Sequence, residues 1–400
     1  MKILILGFSK SGRASYELLK DNNQVYKYDK KKLKVENYYS FTKLKKELPF
    51  FDLVIRSPGI KQTSKVYQLA LILSKKMISE VELGLSYIKN NIIIGVTGSN
   101  GKTTLVNILY HLLKDKYTVH KLGNIGTPLT SKIKEIKKGD IVILELSSFQ
   151  LENTSLKFID YGIITNISSN HLDSVFSKEI YVASKLKLIN LSKNIYLPQE
   201  VYKNNKIRKK YYKIEELKTL LNQNLNKYNQ IYWNIGCDIA LKLKISEEEI
   251  ESKKDYFIMD HFRMEKVLKI NGLMFINDSK ATSISATNAC LDVFKDKRRI
   301  IILGGISKKE NFKYINKLND DIILSYGKDG YKIFKEIGDL YFNNLYEVIN
   351  YIKYHYINID GYVILSPGCA SFDQFSSYVE RGNYFNKLLG ELNVVSCNIS

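Results

Sequence analysis

Short, continuously apolar runs recur along the chain, each closed by glycine or a small polar residue and followed by a stretch of helical periodicity. A strand that is apolar at nearly every position is buried on both faces, so this rhythm predicts parallel sheets covered by helices. The first run, Lys2 to Leu6, leads through Gly7-Phe8-Ser9-Lys10-Ser11-Gly12 into a predicted helix from Arg13 to Lys20. Further strands are expected at Gln24 to Tyr28, ending in Asp29, and at Asp52 to Ile55, ending in Ser57-Pro58-Gly59. Ligands of open α/β sheets bind at the carboxyl edge of the strands, and an acid such as Asp29 often faces a ribose there. The first turn lacks a full GxGxxG, because Ser9 stands where the second glycine would be, so a plain tight turn into a helix is the competing reading.

The rhythm restarts at Asn91. Ile92 to Val96 is a predicted strand, a glycine-rich loop follows, and Leu105 to Leu113 is helical in pattern. Strands are also expected at Ile141 to Leu144, Tyr161 to Thr165 and Asn194 to Leu197. The segment Ser246 to Lys254 is charged and poor in large apolar residues, which predicts a linker. A third series begins near Met259, with strands at Leu273 to Ile276, Arg299 to Leu303, Asp321 to Ser325 and Tyr362 to Leu365. The expected architecture is α/β with three domains at residues 1–90, 91–258 and 259–400. The outer two read as Rossmann-like and the central one as a parallel sheet of the P-loop ATPase type.

Composition narrows the function classes. Of the 400 residues, 44% are hydrophobic and 26% charged, which is globular rather than disordered. The formal charge of +20 raises the question of a nucleic-acid partner. Lysine is spread over the whole chain without a basic helix carrying aromatics, and Lys, Asn, Ile and Tyr share A/T-rich codons, so no nucleic acid is expected. Cys237, Cys290, Cys369 and Cys397 form no CxxC pair, and no apolar stretch approaches the ~20 residues of a membrane span. A reducing, cytoplasmic setting without membrane insertion is expected, as is a monomer.

The chemistry concentrates at Gly98-Ser99-Asn100-Gly101-Lys102-Thr103-Thr104. The strict Walker pattern fails by one glycine, because Val96 stands six positions before Lys102. The shorter form is intact between a strand and a helix. Its glycines let backbone amides curl around phosphate oxygens, Lys102 supplies a point charge, and Thr103 offers a hydroxyl to Mg²⁺. A nucleotide triphosphate with Mg²⁺ is therefore expected.

The string Gly95-Val96-Thr97-Gly98-Ser99-Asn100-Gly101-Lys102-Thr103-Thr104 resembles the ATP loop of the Mur ligases, which build the peptide stem of bacterial peptidoglycan, and of the related folylpolyglutamate synthases. Later segments extend the resemblance from Gly7 to Gly382. Gly123-Asn124-Ile125-Gly126 resembles the family's loop for the nucleotide-linked substrate, which implicates Asn124, and Glu145 resembles its strand-end acid for Mg²⁺. In Asn166-Ile167-Ser168-Ser169-Asn170-His171 and Tyr181-Val182-Ala183-Ser184-Lys185, the resemblance implies that His171 and a carbamylated Lys185 help hold a second Mg²⁺. By the same route Ser9, Lys10, Ser11, Gly12, Asp29, Ser57, Pro58 and Gly59 become contacts for the nucleotide-linked substrate.

Arg263-Met264-Glu265 and Asn277-Asp278-Ser279-Lys280-Ala281-Thr282 also resemble family motifs. They imply that Arg263 reaches the γ-phosphate, Asp278 the ribose, and Lys280 the phosphates or the second substrate. The family's His-Asn pair at adenine falls at Tyr228-Asn229, which leaves Asn229 as the adenine contact. Ser366-Pro367-Gly368-Cys369-Ala370-Ser371-Phe372-Asp373-Gln374, then Glu380-Arg381-Gly382, is similar to the C-terminal signature of the D-glutamate-adding branch. Ser371, Phe372, Thr282, Lys308 and Tyr378 are then implied at D-glutamate, with UDP-N-acetylmuramoyl-L-alanine as its partner substrate. The rivals are a superfamily ligase with another substrate and a P-loop ATPase coupled to nucleic acid. The first ninety or so residues disfavour folate, whose ligases lack such a unit.

Overall fold

The computed structural model describes residues 1–31, 35–155, 159–167, 178–205, 207, 209–223, 225–257, 261–307 and 311–396. Two compact units partition the chain: residues 1–225 with 229–257, and residues 226–228 with 258–400.

In the first unit, β1 (Lys2–Leu6), β2 (Gln24–Tyr28), β3 (Leu53–Arg56) and β4 (Met77–Ser79) form a parallel sheet in the order β2-β1-β3-β4. Leu4 and Leu6 pack into one apolar cluster with Val54, and Ile3 and Ile5 into another with Val25 and Ile55. Both faces of β1 are thus covered, which is why its sequence does not alternate. The same unit holds β5 (Ile92–Thr97), β6 (Val119–Gly123), β7 (Ile141–Glu145), β8 (Ile159–Ile164), β9 (Ser192–Leu197) and β10 (Tyr212–Lys213). These pair in parallel in the order β10-β9-β8-β5-β7-β6. Ile141 to Leu144 are wholly buried, as a central strand requires.

Buried polar contacts join these two sheets. The Arg56 guanidinium pairs with the Glu152 carboxylate, Glu80 Oε1 accepts from Thr130 N and Oγ1, both at 2.7 Å, and the Ser79 and Thr154 hydroxyls meet at 2.7 Å. Burial pushes the Glu80 carboxyl up from its ordinary range, against those two hydrogen bonds.

The second unit contains β11 (Glu265–Ile270), β12 (Leu273–Asn277), β13 (Arg299–Gly304), β14 (Ile322–Tyr326), β15 (Leu340–Phe342) and β16 (Gly361–Leu365). Their order is β11-β12-β16-β13-β14-β15, with β11 antiparallel to β12 and the others parallel. No helix among the described residues is long and apolar enough to cross a membrane.

Two expectations need correction. The first helix spans Lys10–Leu19 rather than starting at Arg13, because Ser9 takes the extended N-cap conformation and Gly12 lies directly on the Gly7 carbonyl. A Cβ on Gly12 would stand 2.0 Å from Gly7 O, so only glycine lets the chain turn this early. The expected linker is also largely a helix, Glu247–Lys253, closed by a capping box in which Ser246 Oγ accepts from Glu249 N. Its apolar contribution is small but decisive, since Ile250 is fully buried and His111 Nε2 meets Lys253 O at 2.8 Å.

Candidate active site

The phosphate-type loop lies between β5 and the helix Lys102–Leu113, whose N-cap is Gly101 in the left-handed region at φ +80°. The first amides of that helix have no partner in the preceding turn, which makes its N-terminus receptive to anions. Lys102 Nζ folds back to donate to Gly98 O at 2.8 Å and Ser99 O at 3.0 Å. Ser99 and Thr104 are buried, Ser99 Oγ lies 3.1 Å from Tyr181 Oη, and the Thr104 hydroxyl has no hydrogen-bond partner among the described residues.

Residue Val96 is paired with Glu145 in the β5–β7 register, which brings the end of β7 beside the loop. Thr103 Oγ1 donates to Glu145 Oε2 at 2.8 Å, and Asn124 Nδ2 to Glu145 Oε1 at 3.0 Å. The threonine hydroxyl and the carboxylate are hard oxygen donors of the kind Mg²⁺ takes. Among the described residues no group of three or more His, Cys, Asp and Glu converges. A small cation here would therefore complete its shell with phosphate oxygens and water, as Mg²⁺ ordinarily does.

Lys185 stands in the helix Lys178–Leu191, nearly inaccessible, and donates to the same Gly98 O at 2.7 Å. Burial pushes its ammonium well below the ordinary lysine range; the Lys102 charge acts in the same sense and Glu145 opposes it. An ammonium offers no lone pair and an amine is a poor ligand for a hard cation, so as an unmodified lysine it does not fit the second Mg²⁺. His171 lies outside the described residues. Asn229 is buried in the helix Lys227–Lys242.

At the carboxyl edge of the first sheet, Gly7 takes φ +87° and Ser57 Oγ donates to Gly7 O at 2.6 Å. Asp29 accepts from Phe8 N at 2.7 Å and from Lys31 N at 3.0 Å, so its carboxylate braces the turn. Because the helix begins at Lys10, the amides of Lys10, Ser11 and Gly12 belong to its first turn. Lys10 Nζ lies 3.9 Å from where a Cβ on Gly126 would stand, so the first turn of the chain and the Asn124 loop flank one region. Pro58 and Gly59 follow on the loop that Arg56 holds, with Arg56 Nε and Nη2 both donating to Ile60 O at 3.1 and 2.7 Å.

In the second unit, Arg263 sits between Phe262 and Met264, both in the left-handed region at φ +61° and +53°. Two such residues flanking a charged side chain are a strained arrangement of the kind found at functional sites. Arg263 Nε is a buried donor with no partner among the described residues, which suits a ligand oxygen. The turn is clipped to the next loop by Met264 N donating to Asp278 Oδ1 at 3.2 Å and Lys280 N to Phe262 O at 3.1 Å. Asp278 is buried and also accepts from Ser366 Oγ at 2.7 Å. Burial raises its carboxyl to about 6, against the lowering effects of Ser366 and Arg263.

That raised value has a testable consequence. A carboxyl at about 6 folded, against the ordinary 3.8, makes the native state bind more protons between those values, so stability falls as pH rises through that window. Asp278→Asn is expected to stabilise the chain by about 2–3 kcal/mol at pH ~7 and by little at pH ~4, because each tenfold change in proton affinity is worth about 1.4 kcal/mol. Urea titrations at both pH values measure it; a gain that is the same at both would refute the assignment.

Lys280 Nζ lies 5.8 Å from the centre of the Tyr378 ring, Thr282 is half-buried, and Ser371 is buried. Phe372 is 69% exposed, so its ring is open to cover a ligand. Lys308 lies outside the described residues. The organiser to which the sequence signature gave no role is Arg381, fully buried, donating to Ser279 Oγ at 3.0 Å, Ser279 O at 2.8 Å and Cys369 O at 3.1 Å. It ties the Lys280 loop to the Ser371 loop. Arg56 is the omission in the first unit, where the only signal was an arginine at the end of an apolar run, whereas Arg381 stood in the Glu380-Arg381-Gly382 string of the resemblance.

Comparison with known proteins places these features in context. The family model for the Mur ligase middle domain matches residues 96–250. The chain is 34% identical over 379 residues to the UDP-N-acetylmuramoylalanine--D-glutamate ligase of Francisella tularensis subsp. novicida, covering 86% of this chain and 87% of the relative. The enzyme of the same description from Francisella tularensis subsp. holarctica is 33% identical over 380 residues, with the same coverage. Among solved structures, a pseudomurein peptide ligase type C from Methanothermus fervidus superposes with a TM-score of 0.59 at 18% identity, covering 98% of this chain and 99% of that one. A MurF ligase from Thermotoga maritima in complex with ADP gives 0.59 at 15% identity, over 97% and 95%. At such identities these two structures speak to the fold alone.

Proposed function

The chain belongs to the Mur ligase family, and from that premise we propose that it is the ATP-dependent ligase joining D-glutamate to UDP-N-acetylmuramoyl-L-alanine. The observation that carries the reading is the resemblance to D-glutamate ligases over 86% of the chain. The convergence of Lys102, Thr103, Glu145 and Lys185 at one loop supports it. Residues 1–90 take the nucleotide-linked substrate, 91–258 the ATP and 259–400 the amino acid, in a cytoplasmic monomer.

The reaction transfers the γ-phosphoryl group of ATP to the terminal carboxylate of the substrate, giving ADP and an acyl phosphate. The D-glutamate amine then adds to the acyl carbon, loses a proton, and the tetrahedral adduct expels phosphate to leave the amide. Lys102 and Arg263 place and neutralise the phosphates, because phosphoryl transfer needs positioning and charge stabilisation more than covalent help. Mg²⁺, held by Thr103 and Glu145, would neutralise further phosphate charge when bound. Asn229 takes adenine, Asp278 the ribose, Lys280 the phosphates or the D-glutamate, and Thr282, Lys308, Ser371, Phe372 and Tyr378 the D-glutamate, whose two carboxylates call for cations and hydroxyls.

A second Mg²⁺ with His171 requires Lys185 to become a carbamate. Its neutral amine adds to CO₂ with loss of one proton, which turns a poor ligand into an oxygen donor. With ¹³C-labelled bicarbonate, a carbamate resonance is expected in the wild type and absent from Lys185→Arg; a spectrum without it in both would exclude the modification. The ligase reading itself is tested by phosphate release, which should require both UDP-N-acetylmuramoyl-L-alanine and D-glutamate. Release with neither substrate, or release that rises with DNA or RNA, would sink it.

A further inference from the structure

The two glycines of the phosphate loop are each met by a side chain to which no role has been given above. A Cβ on Gly98 would stand 1.9 Å from Thr165 Oγ1, and one on Gly101 would stand 2.1 Å from Tyr232 Oη. Both glycines also have positive φ, +150° and +80°. The loop is therefore glycine-rich here for two reasons, its backbone angles and the side chains pressed against it.

Those side chains form a connected brace. Thr165 Oγ1 donates to Asn100 O at 2.6 Å, Asn166 Nδ2 reaches the same carbonyl at 3.2 Å, and Asn166 Oδ1 accepts from Asn100 N at 3.0 Å. Ser99 N donates to Asn166 O at 3.0 Å. Asn166 Nδ2 also lies 3.4 Å from Tyr232 Oη. Tyr232 is 4% exposed and stands three positions after Asn229 on the helix Lys227–Lys242, so the two share a helix face.

We propose that Tyr232 is a positioning residue for the nucleotide. Its phenol presses on Gly101 and meets Asn166, so that the helix bearing Asn229 sets the curvature of the loop whose amides take the phosphates. A loop held in its binding shape before ligand arrives loses less conformational freedom on binding, and the gain appears as affinity. The inference rests on the reading of this loop as an ATP site and adds to it a residue that carries no contact with the phosphates itself.

The test is Tyr232→Phe, which keeps the ring over Gly101 and removes only the hydroxyl. ATP binding is measured by calorimetry, and KM for each substrate with kcat by phosphate release. Kd and KM for ATP should rise roughly 5- to 10-fold, the loss of about one hydrogen bond, with kcat within about twofold and KM for D-glutamate unchanged. Asn166→Ala, which removes this contact together with the side-chain bonds to Asn100 N and O, should raise Kd and KM for ATP by more than Tyr232→Phe does, and adding Tyr232→Phe to it should cost little more. Tyr232→Phe with wild-type ATP affinity, or with KM raised equally for all substrates, would overturn the proposal. Wild-type protein that binds no ATP would refute the nucleotide reading itself, and this inference with it.

Discussion

Lys102→Ala is expected to lower kcat/KM for ATP by roughly 10³-fold, about 4 kcal/mol of transition-state stabilisation, with little change in thermal stability. The separation follows from what Lys102 touches. Its ammonium donates to Gly98 O and Ser99 O, two carbonyls of its own loop, so the folded state loses little when it is removed. In the reaction, the same ammonium would leave those carbonyls for the phosphates, where it faces charge that grows during transfer. Lys102→Arg should recover only part of the rate, because a planar fork does not reproduce a compact point charge. Phosphate release and a melting curve on one preparation measure both effects. A variant that keeps full activity would remove the loop from the mechanism.

Arg56→Leu should destabilise the first unit by about 3–5 kcal/mol, the cost of leaving a buried charge without its partner. Arg56 and Glu152 are both nearly inaccessible, and Arg56 also donates to Asn153 Oδ1 at 2.8 Å and lies 4.5 Å from the centre of the Tyr67 ring. Glu152 would be left exposed to the full desolvation penalty, since its Oε1 already has no hydrogen-bond partner among the described residues. Arg56→Leu with Glu152→Leu should regain most of the loss, because two apolar side chains can replace a buried pair at little cost. KM for the nucleotide-linked substrate should stay raised in the double variant, since the hold on Ile60 O, and with it on the Ser57-Pro58-Gly59 loop, is still missing. Urea unfolding and substrate titration measure the two parts separately. Strictly additive losses would show that the ion pair is not the coupling.

Much of the fold was legible because burial on both faces writes itself into composition. β1, β5, β13 and β16 were recognisable as apolar runs to within a residue at either end. β4, β6, β11 and β15 were not expected. Each lies at a sheet edge, where β6 reads Val-His-Lys-Leu-Gly and β11 reads Glu-Lys-Val-Leu-Lys-Ile, half solvated and too polar to stand out. The Glu247–Lys253 helix reads as a linker in sequence because one buried isoleucine and a capping box suffice to fix it.

For the site, the sequence alone determined the phosphate loop, since glycines, lysine and threonine at that spacing between a strand and a helix are a local matter of backbone angles and charge. Through resemblance it also pointed to distant segments, among them those of Glu145 and Lys185, that the fold brings beside that loop. Tertiary structure alone decided what those segments do to one another. It decided that β7 rather than β6 adjoins β5, so that Glu145 meets Thr103, and that Lys185 shares Gly98 O with Lys102 across 87 positions of chain. It decided too that Thr165 and Tyr232 are what the two loop glycines make room for. Local patterns are written in neighbouring residues because turns and caps involve only them. Contacts such as these depend on strand order and helix packing, and those are settled only when the whole core assembles.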